Sequence, residues 1–304
     1  VDAGAPPAAR RHDARLPLKV LLLGSSSLDL LDQAAERLTG RNRKLVLPPL
    51  LFSETLATQT WATSELPREH LCRHFAPQLR AWLLQRLAFG SYPEVILTPD
   101  PIALLRELSA DYLWKDVLQT GLVKTPDLIR RLLLLLADPA GAEGASNELA
   151  TQLSMARPTV ERYLELLEQT FVIFRLPSFS TNPRKEIAKG RKVFFWDTGI
   201  RNALLNAFSA DALRPDIGAL WESWVIAEIA KRNALLGAPA ELFFWRSRAQ
   251  SEVDLVVKQG DRLRGFEIKW SGRPAAGRAF RDAYGVTVEK IGPENPFAAE
   301  WLQG

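Results

Sequence analysis

Residues Glu252–Lys269 read EVDLVVKQGDRLRGFEIK, and the fold follows from how this stretch turns back on itself. Glu252–Val257 and Leu263–Trp270 each have the composition of a strand, and Gly260-Asp261 between them supplies the turn of a β-hairpin. Asp254 and Glu267 are thirteen positions apart, so pairing about that turn brings them side by side. Side chains alternate along a strand, so Glu267 and Lys269 share a face and Lys269 comes next in line. Two carboxylates, Asp254 and Glu267, can share a hard Mg2+ ion. Such an ion activates water, and a neighbouring ammonium orients that water and offsets charge developing on a phosphate. Glu222, on a helix read over Leu220–Asn233, offers a third carboxylate. Glu-x-Lys also occurs on strands where an acid–base pair only stabilises a sheet surface. The residue types permit catalysis without demonstrating it.

Leu242–Trp245 reads as a strand before the hairpin, and Phe280–Val286 and Val288–Ile291 as short elements after it. Upstream lies the clearest local pattern. Asn147–Leu153 is a short helix, Ser154–Arg157 a turn and Pro158–Thr170 a second helix, with Pro158 suited to a first helical position. Val160, Tyr163, Leu164 and Leu167 recur at helical spacing and define one buried face. Phe171–Leu176 and Lys192–Trp196 are strand-like, with a basic loop, Arg184–Lys192, between them. Two helices, a tight turn and a hairpin make a winged helix. From Arg157 to Arg201 there are nine Lys/Arg against five Asp/Glu, which alone matches the net charge of +4. A local basic excess favours a polyanion partner. Double-stranded DNA is the expected one, met by Arg157, Thr159, Arg162, Arg184, Lys185, Lys189, Arg191 and Lys192. Winged helices also serve as packing units between proteins or domains, and that alternative stays open.

The chain has 304 residues, 47% hydrophobic and 24% charged, enough for two or three domains with their own cores. One cysteine, Cys72, excludes a disulfide framework and fits a reducing, cytoplasmic setting. No apolar run is long enough to span a membrane, so no membrane partner is expected. Lys19–Leu23 reads as a buried strand ending in Gly24-Ser25-Ser26-Ser27, and Asn42–Leu47 as a second strand closed by Pro48-Pro49. Helices are expected at Arg68–Phe89, Asp100–Val117 and Asp127–Ala137. His70 and His74 stand one helical turn apart, a spacing that can hold a metal, but no glutamate is placed there as a base.

Several stretches together resemble a known family of bacterial and archaeal ATP-binding proteins. These are KVLLLGSSSLDLL (Lys19–Leu31), LTGR (Leu38–Arg41), PPLLFSE (Pro48–Glu54), FGSYPEVIL (Phe89–Leu97), ELATQLSMARPTVERYLELLEQTF (Glu148–Phe171), KVFFWDTGIRNALL (Lys192–Leu205), LWESWVIAEI (Leu220–Ile229) and Trp245–Lys269. The family joins an AAA-type ATPase domain to a C-terminal region called domain of unknown function 4143. The resemblance implies that the last region is a restriction-endonuclease-like module of PD-(D/E)-x-K pattern, with Asp254, Glu267 and Lys269 at its core positions. It also implies that Ser25, Ser26 and Ser27 end the ATPase sensor strand, with Arg41 a phosphate-facing arginine. The simpler alternative is a strand-to-helix turn in which one serine caps the following helix.

The expected architecture is therefore a multi-domain α/β chain. Residues 1–17 form a disordered lead-in, 18–66 a C-terminal remnant of an AAA-type α/β ATPase domain, and 67–137 a helical linker region. Residues 138–208 form the winged helix and 209–304 the endonuclease-like α/β domain. No G-x-x-x-x-G-K-[ST] phosphate loop is present, and 23 residues precede Gly24, too few for the upstream ATPase strands. The chain alone is not expected to bind or hydrolyse ATP. Its expected partners are duplex DNA and the missing ATPase portion or other subunits. The functional alternatives are a nucleic-acid-associated protein, an Mg2+-dependent nuclease, and a non-enzymatic interaction module or degenerate ATPase fragment.

Overall fold

The structure, a computed structural model, describes residues 45–62, 66–119, 126–138, 146–180, 190–236, 239–247, 249, 251–272 and 277–297. Among them the chain is mixed α/β, with eleven α-helices and two small sheets. In chain order the first helices are α1 (Phe52–Thr55), α2 (Arg68–His74), α3 (Ala76–Phe89), α4 (Pro93–Leu97), α5 (Pro101–Gln119) and α6 (Pro126–Ala137). Then come α7 (Ser146–Leu153), α8 (Arg157–Gln169), strands β1 (Ile173–Pro177) and β2 (Arg191–Phe195), and α9 (Thr198–Leu205). The C-terminal part holds α10 (Ile217–Ala234), β3 (Glu241–Arg246), β4 (Glu252–Gln259), β5 (Arg262–Ile268), α11 (Gly277–Tyr284) and β6 (Val288–Ile291).

Prolines punctuate the helical part. Pro77, Pro93, Pro101, Pro126 and Pro158 each stand in the first turn of a helix, where the missing N–H has no partner to lose. Pro77 corrects one expectation: Arg68–Phe89 is two helices rather than one, broken at Phe75, because a proline inside the run removes a hydrogen bond and clashes with the preceding turn. The strand expected over Asn42–Leu47 is absent from its described part. Residues 45–47 make no ladder, and Leu45 and Leu47 are exposed. Gly24, Ser25, Ser26, Ser27 and Arg41 lie outside the described residues.

α7 and α8 meet through a turn in which Ser154 takes φ 54, and the antiparallel β1–β2 hairpin follows, paired from Ile173↔Phe195 to Pro177↔Arg191. Val160, Tyr163, Leu164 and Leu167 are all buried, as their spacing predicts, and Leu166 joins them. These residues do not form a core of their own. They share one with Ile129, Leu132, Leu133 and Leu136 of α6 and with Ile200 of α9, across the boundary expected at 137/138.

The larger sheet has the order β3-β4-β5-β6, antiparallel except for the parallel β5–β6 pair, which α11 connects. α10 lies against it and is buried almost all round from Trp224 to Lys231. Trp221 and Trp224 stack 5.3 Å apart, and Phe52 meets Trp224 edge-on at 5.6 Å. This core gathers Leu71, Trp82 and Leu83 with Leu176, Phe194, Leu255 and Phe266, and so crosses the 208/209 boundary as well. Past β1, Ser178 bridges Phe244 and the Phe179 N–H donates to the Phe244 carbonyl at 2.6 Å. The hairpin strand thus runs on into the edge of the larger sheet, which brings β2 close to β4.

Candidate functional site

The site forms where β4 changes register. β3 pairs with β4 as Phe243↔Val256 and then Trp245↔Val253, so Phe244 alone faces both Asp254 and Leu255. One extra residue in one strand is a β-bulge, a feature that re-aims side chains near functional sites. On the other side β4 pairs with β5 as far as Leu255↔Phe266, which leaves Asp254 opposite Glu267 at the ladder's end. There the Ile268 N–H donates to Asp254 Oδ2 at 2.7 Å, in place of a backbone acceptor. Lys269 Nζ lies 3.4 Å from Asp254 Oδ2 and 3.6 Å from Glu267 Oε1. The two carboxylates are buried, whereas the Lys269 side chain is 38% exposed. The expected trio therefore comes together, with the ammonium on the solvent side.

Glu222 reaches the same region from α10, but its partner is Lys192, whose Nζ lies 3.2 Å from Glu222 Oε1. Lys192 also contacts Glu252 Oε1, and Arg246 takes the other oxygen of Glu252, with Nε to Oε2 at 2.7 Å. Burial pushes the Glu222 carboxyl up from 4.5 to about 7; the Lys192 ammonium opposes this and the Asp254 charge adds to it. Burial likewise raises Asp254, against the Lys269 charge and the Ile268 N–H. For Lys269, burial lowers the pKa but Asp254 and Glu267 together outweigh it, so the ammonium is held charged.

A pH dependence follows from Glu222. Between 4.5 and about 7 the folded state holds a proton that the unfolded state has released, so stability falls as pH rises through that window. The Glu222 contribution is full below 4.5 and lost above about 7. Glu222→Gln is expected to gain melting temperature relative to wild type as pH rises from about 5 to about 8. Parallel melting curves over that range would count against this origin.

The predicted nucleic-acid contacts divide. Arg157, Arg162 and Arg191 are exposed and Thr159 is half-buried. Arg184, Lys185 and Lys189 lie outside the described residues. Lys192 is a correction: it is 5% exposed and faces Glu222 and Glu252 rather than an external phosphate. An ammonium buried between carboxylates is already paired, and leaving them for a phosphate would strand both charges. Sequence reasoning missed Glu252 and Arg246 as neighbours of the trio. Glu252 stands two residues before Asp254 and was open to reading, but the bulge that turns it toward Lys192 leaves no mark in the sequence. The rings of His70 and His74 lie 4.3 Å apart on α2, and among the described residues they belong to no group of three or more His, Cys, Asp or Glu placed to hold a metal.

Asp254 and Glu267 are the two carboxylates that could serve as oxygen ligands to a hard divalent cation, and the Lys269 ammonium lies 3.4 Å from the first and 3.6 Å from the second. Among the described residues no group of three or more His, Cys, Asp or Glu side chains is placed to hold a metal. Two protein carboxylates with water and substrate oxygens is the ordinary coordination of Mg2+.

Residues 80–211 match the family Domain of unknown function (DUF8612), and residues 217–296 match Domain of unknown function (DUF4143). The second stretch takes in Glu222, Asp254, Glu267 and Lys269, and the first takes in α8 and Lys192. The domain of unknown function 4143 that the resemblance named is thus found over residues 217–296, and the stretch before it matches a separate domain. An uncharacterized protein of Mycobacterium tuberculosis is 30% identical over 273 residues, covering 88% of this chain and 56% of its own. For an uncharacterized protein of Haemophilus influenzae the identity is 21% over 251 residues, 80% of this chain and 57% of the relative. One from Methanocaldococcus jannaschii is 25% identical over 247 residues, 78% and 52% respectively. The chain spans about half the length of the curated relatives it matches. No solved structure matches it.

Proposed function

We propose that the chain carries a Mg2+-dependent centre for cleaving phosphodiesters in nucleic acid, built on Asp254, Glu267 and Lys269. One observation carries this reading: at a bulged strand end Asp254 stands opposite Glu267, and Lys269 bridges the pair from the solvent side. The element order α10-β3-β4-β5-α11-β6, with the two carboxylates on β4 and β5, is consistent with a restriction-endonuclease-like module. Asp254 and Glu267 would hold the cation, which would supply Lewis acidity toward a phosphate oxygen and a more acidic water. Lys269 is held charged between the carboxylates, where it can orient water and offset charge on the phosphate. The Ile268 N–H fixes Asp254, so one carboxylate is oriented before any substrate arrives.

The test is cutting of plasmid DNA in Mg2+ or Mn2+ against chelator, comparing wild type with Asp254→Ala. Metal-dependent cutting by wild type alone supports the reading. Equal cutting by both points to a contaminant, and cutting by neither favours a non-enzymatic interaction module.

The α7–α8 turn and the β1–β2 hairpin favour an accompanying role, binding of duplex DNA through a winged helix. α8 is not basic by itself: Glu161, Glu165 and Glu168 outnumber Arg157 and Arg162, and Arg175 is paired with Glu161 and Glu168. Phosphate contacts would therefore rest on Arg184, Lys185 and Lys189, between β1 and β2, and on Arg191 at the start of β2. Binding is expected to weaken steeply with added salt, and a titration showing none at low salt removes this role. In the same reading the chain is one part of an AAA-type ATP-binding protein, and ATP is handled by a partner portion or subunit.

A further inference from the structure

The described side chains include five lysines, and four of them face a carboxylate. Lys192 meets Glu222 at 3.2 Å, Lys231 meets Glu228 at 2.8 Å, Lys258 meets Glu241 at 2.7 Å and Lys269 meets Asp254 at 3.4 Å. The fifth, Lys290, makes no side-chain ion pair or hydrogen bond among the described residues. It is half-buried on β6, where it is the Cα partner of Glu267 in the parallel β5–β6 pair. Partners in a ladder point to one face of the sheet, and the neighbouring residues identify that face. Glu289 turns the other way, to Arg264 at 3.2 Å, and Ile291 enters the core that α10 shares. Val288 and Gly265 lie under α11: a Cβ on Gly277 would be 3.2 Å from Val288, and one on Gly265 3.1 Å from Phe280. Lys290 therefore lies on the α11 face with Glu267 and Lys269, one pair beyond the start of α11.

Asp254, Glu267 and Lys290 thus stand in a row across β4, β5 and β6, on neighbouring strands roughly 4.8 Å apart. A lysine already paired strands two charges when it leaves its carboxylate. Lys290 has no such partner to lose in turning to a phosphate. We propose that Lys290 is a substrate-binding residue that takes the phosphate flanking the one cleaved at Asp254 and Glu267. This rests on the reading of that pair as the phosphodiester-cleaving centre. The flanking phosphate keeps its charge throughout the reaction, so the contact is as strong in the bound substrate as in the transition state. Such a contact lowers the DNA concentration needed for half-saturation and leaves the saturated rate unchanged.

The experiment combines single-turnover cleavage of a labelled DNA duplex in Mg2+ with equilibrium titration of the same duplex in Ca2+ over a series of salt concentrations. It uses the full chain as wild type, Lys290→Met, Lys290→Gln, Lys290→Arg and Lys258→Met, with melting curves in parallel. Lys258 is the control, an exposed cation at the other end of β4. Lys290→Met and Lys290→Gln are each expected to raise the half-saturating DNA concentration about 3–10-fold and to reduce the salt slope by about 1. Lys290→Arg is expected to restore both, and Lys258→Met to change neither. Unchanged affinity and slope in Lys290→Met, with wild type still cutting, overturn the inference and leave the centre standing. A fall in the saturated rate alone, or equal losses in Lys290→Met and Lys258→Met, also overturns it. Wild type that binds without cutting, with the slope still reduced in Lys290→Met, supports the phosphate contact and overturns the centre. Wild type that neither binds nor cuts overturns both.

Discussion

Asp197→Ala is expected to destabilise the protein by about 3–5 kcal/mol, because it strips the acceptor from three buried donors at once. Asp197 is buried at the start of α9; its Oδ2 accepts from the Ser91 N–H at 2.7 Å, and its Oδ1 from the N–H groups of Gly199 at 2.8 Å and Ile200 at 3.3 Å. Gly199 and Ile200 belong to the first turn of α9, where a helix leaves its N–H groups unpaired. Ser91 follows α3, so one carboxylate both caps a helix and ties it to another. Around it Asn202 Nδ2 donates to the carbonyls of Leu87 and Ala88, and the Thr198 hydroxyl to that of Arg86. Gly90 adopts φ +72, and a Cβ there would lie 1.8 Å from Asp197 Oδ1. Gly90→Ala is therefore expected to cost a similar amount, about 3–5 kcal/mol, through strain at a left-handed position and a direct clash. Urea denaturation measures both. A loss under about 1 kcal/mol for Asp197→Ala, the ordinary size of one hydrogen bond, would mean the clasp is not cooperative.

Glu228→Ala is the second large loss, again about 3–5 kcal/mol, because it leaves a buried ammonium without its counter-charge. Glu228 and Lys231 are 1% and 2% exposed on α10, with Oε1 to Nζ at 2.8 Å. Each also holds the N-terminal segment: Glu228 Oε2 accepts from the Phe52 N–H at 2.7 Å, and Lys231 donates to the Leu50 carbonyl at 3.2 Å. Phe52 is thereby seated against Trp224 and Phe297. Glu228→Gln paired with Lys231→Met, which removes both charges and keeps the bulk, is expected to recover most of the loss. A double variant no better than Glu228→Ala would show that packing of residues 50–55, and not the charge pair, sets the cost.

The hairpin, its turn at Gly260-Asp261 and the meeting of Asp254, Glu267 and Lys269 could all be read from the sequence, because strand alternation and one short turn determine them. The buried face of α8 was legible for the same reason, since Val160, Tyr163, Leu164 and Leu167 follow one helical period. The end of α2 at Phe75 was open to reading and was missed, as Pro77 marks it. The place of Lys192 was not legible. It depends on the bridge from Ser178 to Phe244, a contact between distant segments, and on the bulge that turns Glu252 toward β2. A lysine in a basic run is ordinarily read as exposed, and only the carboxylates of α10 and β4 make its burial tolerable. For the same reason the clasp around Asp197 escaped a local reading, because Ser91, which donates to Asp197, and Leu87, whose carbonyl accepts from Asn202, lie more than a hundred positions away.

In the proposed function Asp254, Glu267 and Lys269 act together on a phosphodiester. Single-turnover cleavage of a labelled DNA duplex in Mg2+, by wild type, Asp254→Asn and Lys269→Met under matched melting temperatures, tests it most directly. Metal-dependent cutting by wild type is expected, with a loss of about 10²–10³-fold in each variant, the range that removing one preorganised electrostatic group typically costs. Equal rates in all three, or no cutting by wild type in either Mg2+ or Mn2+, would contradict it.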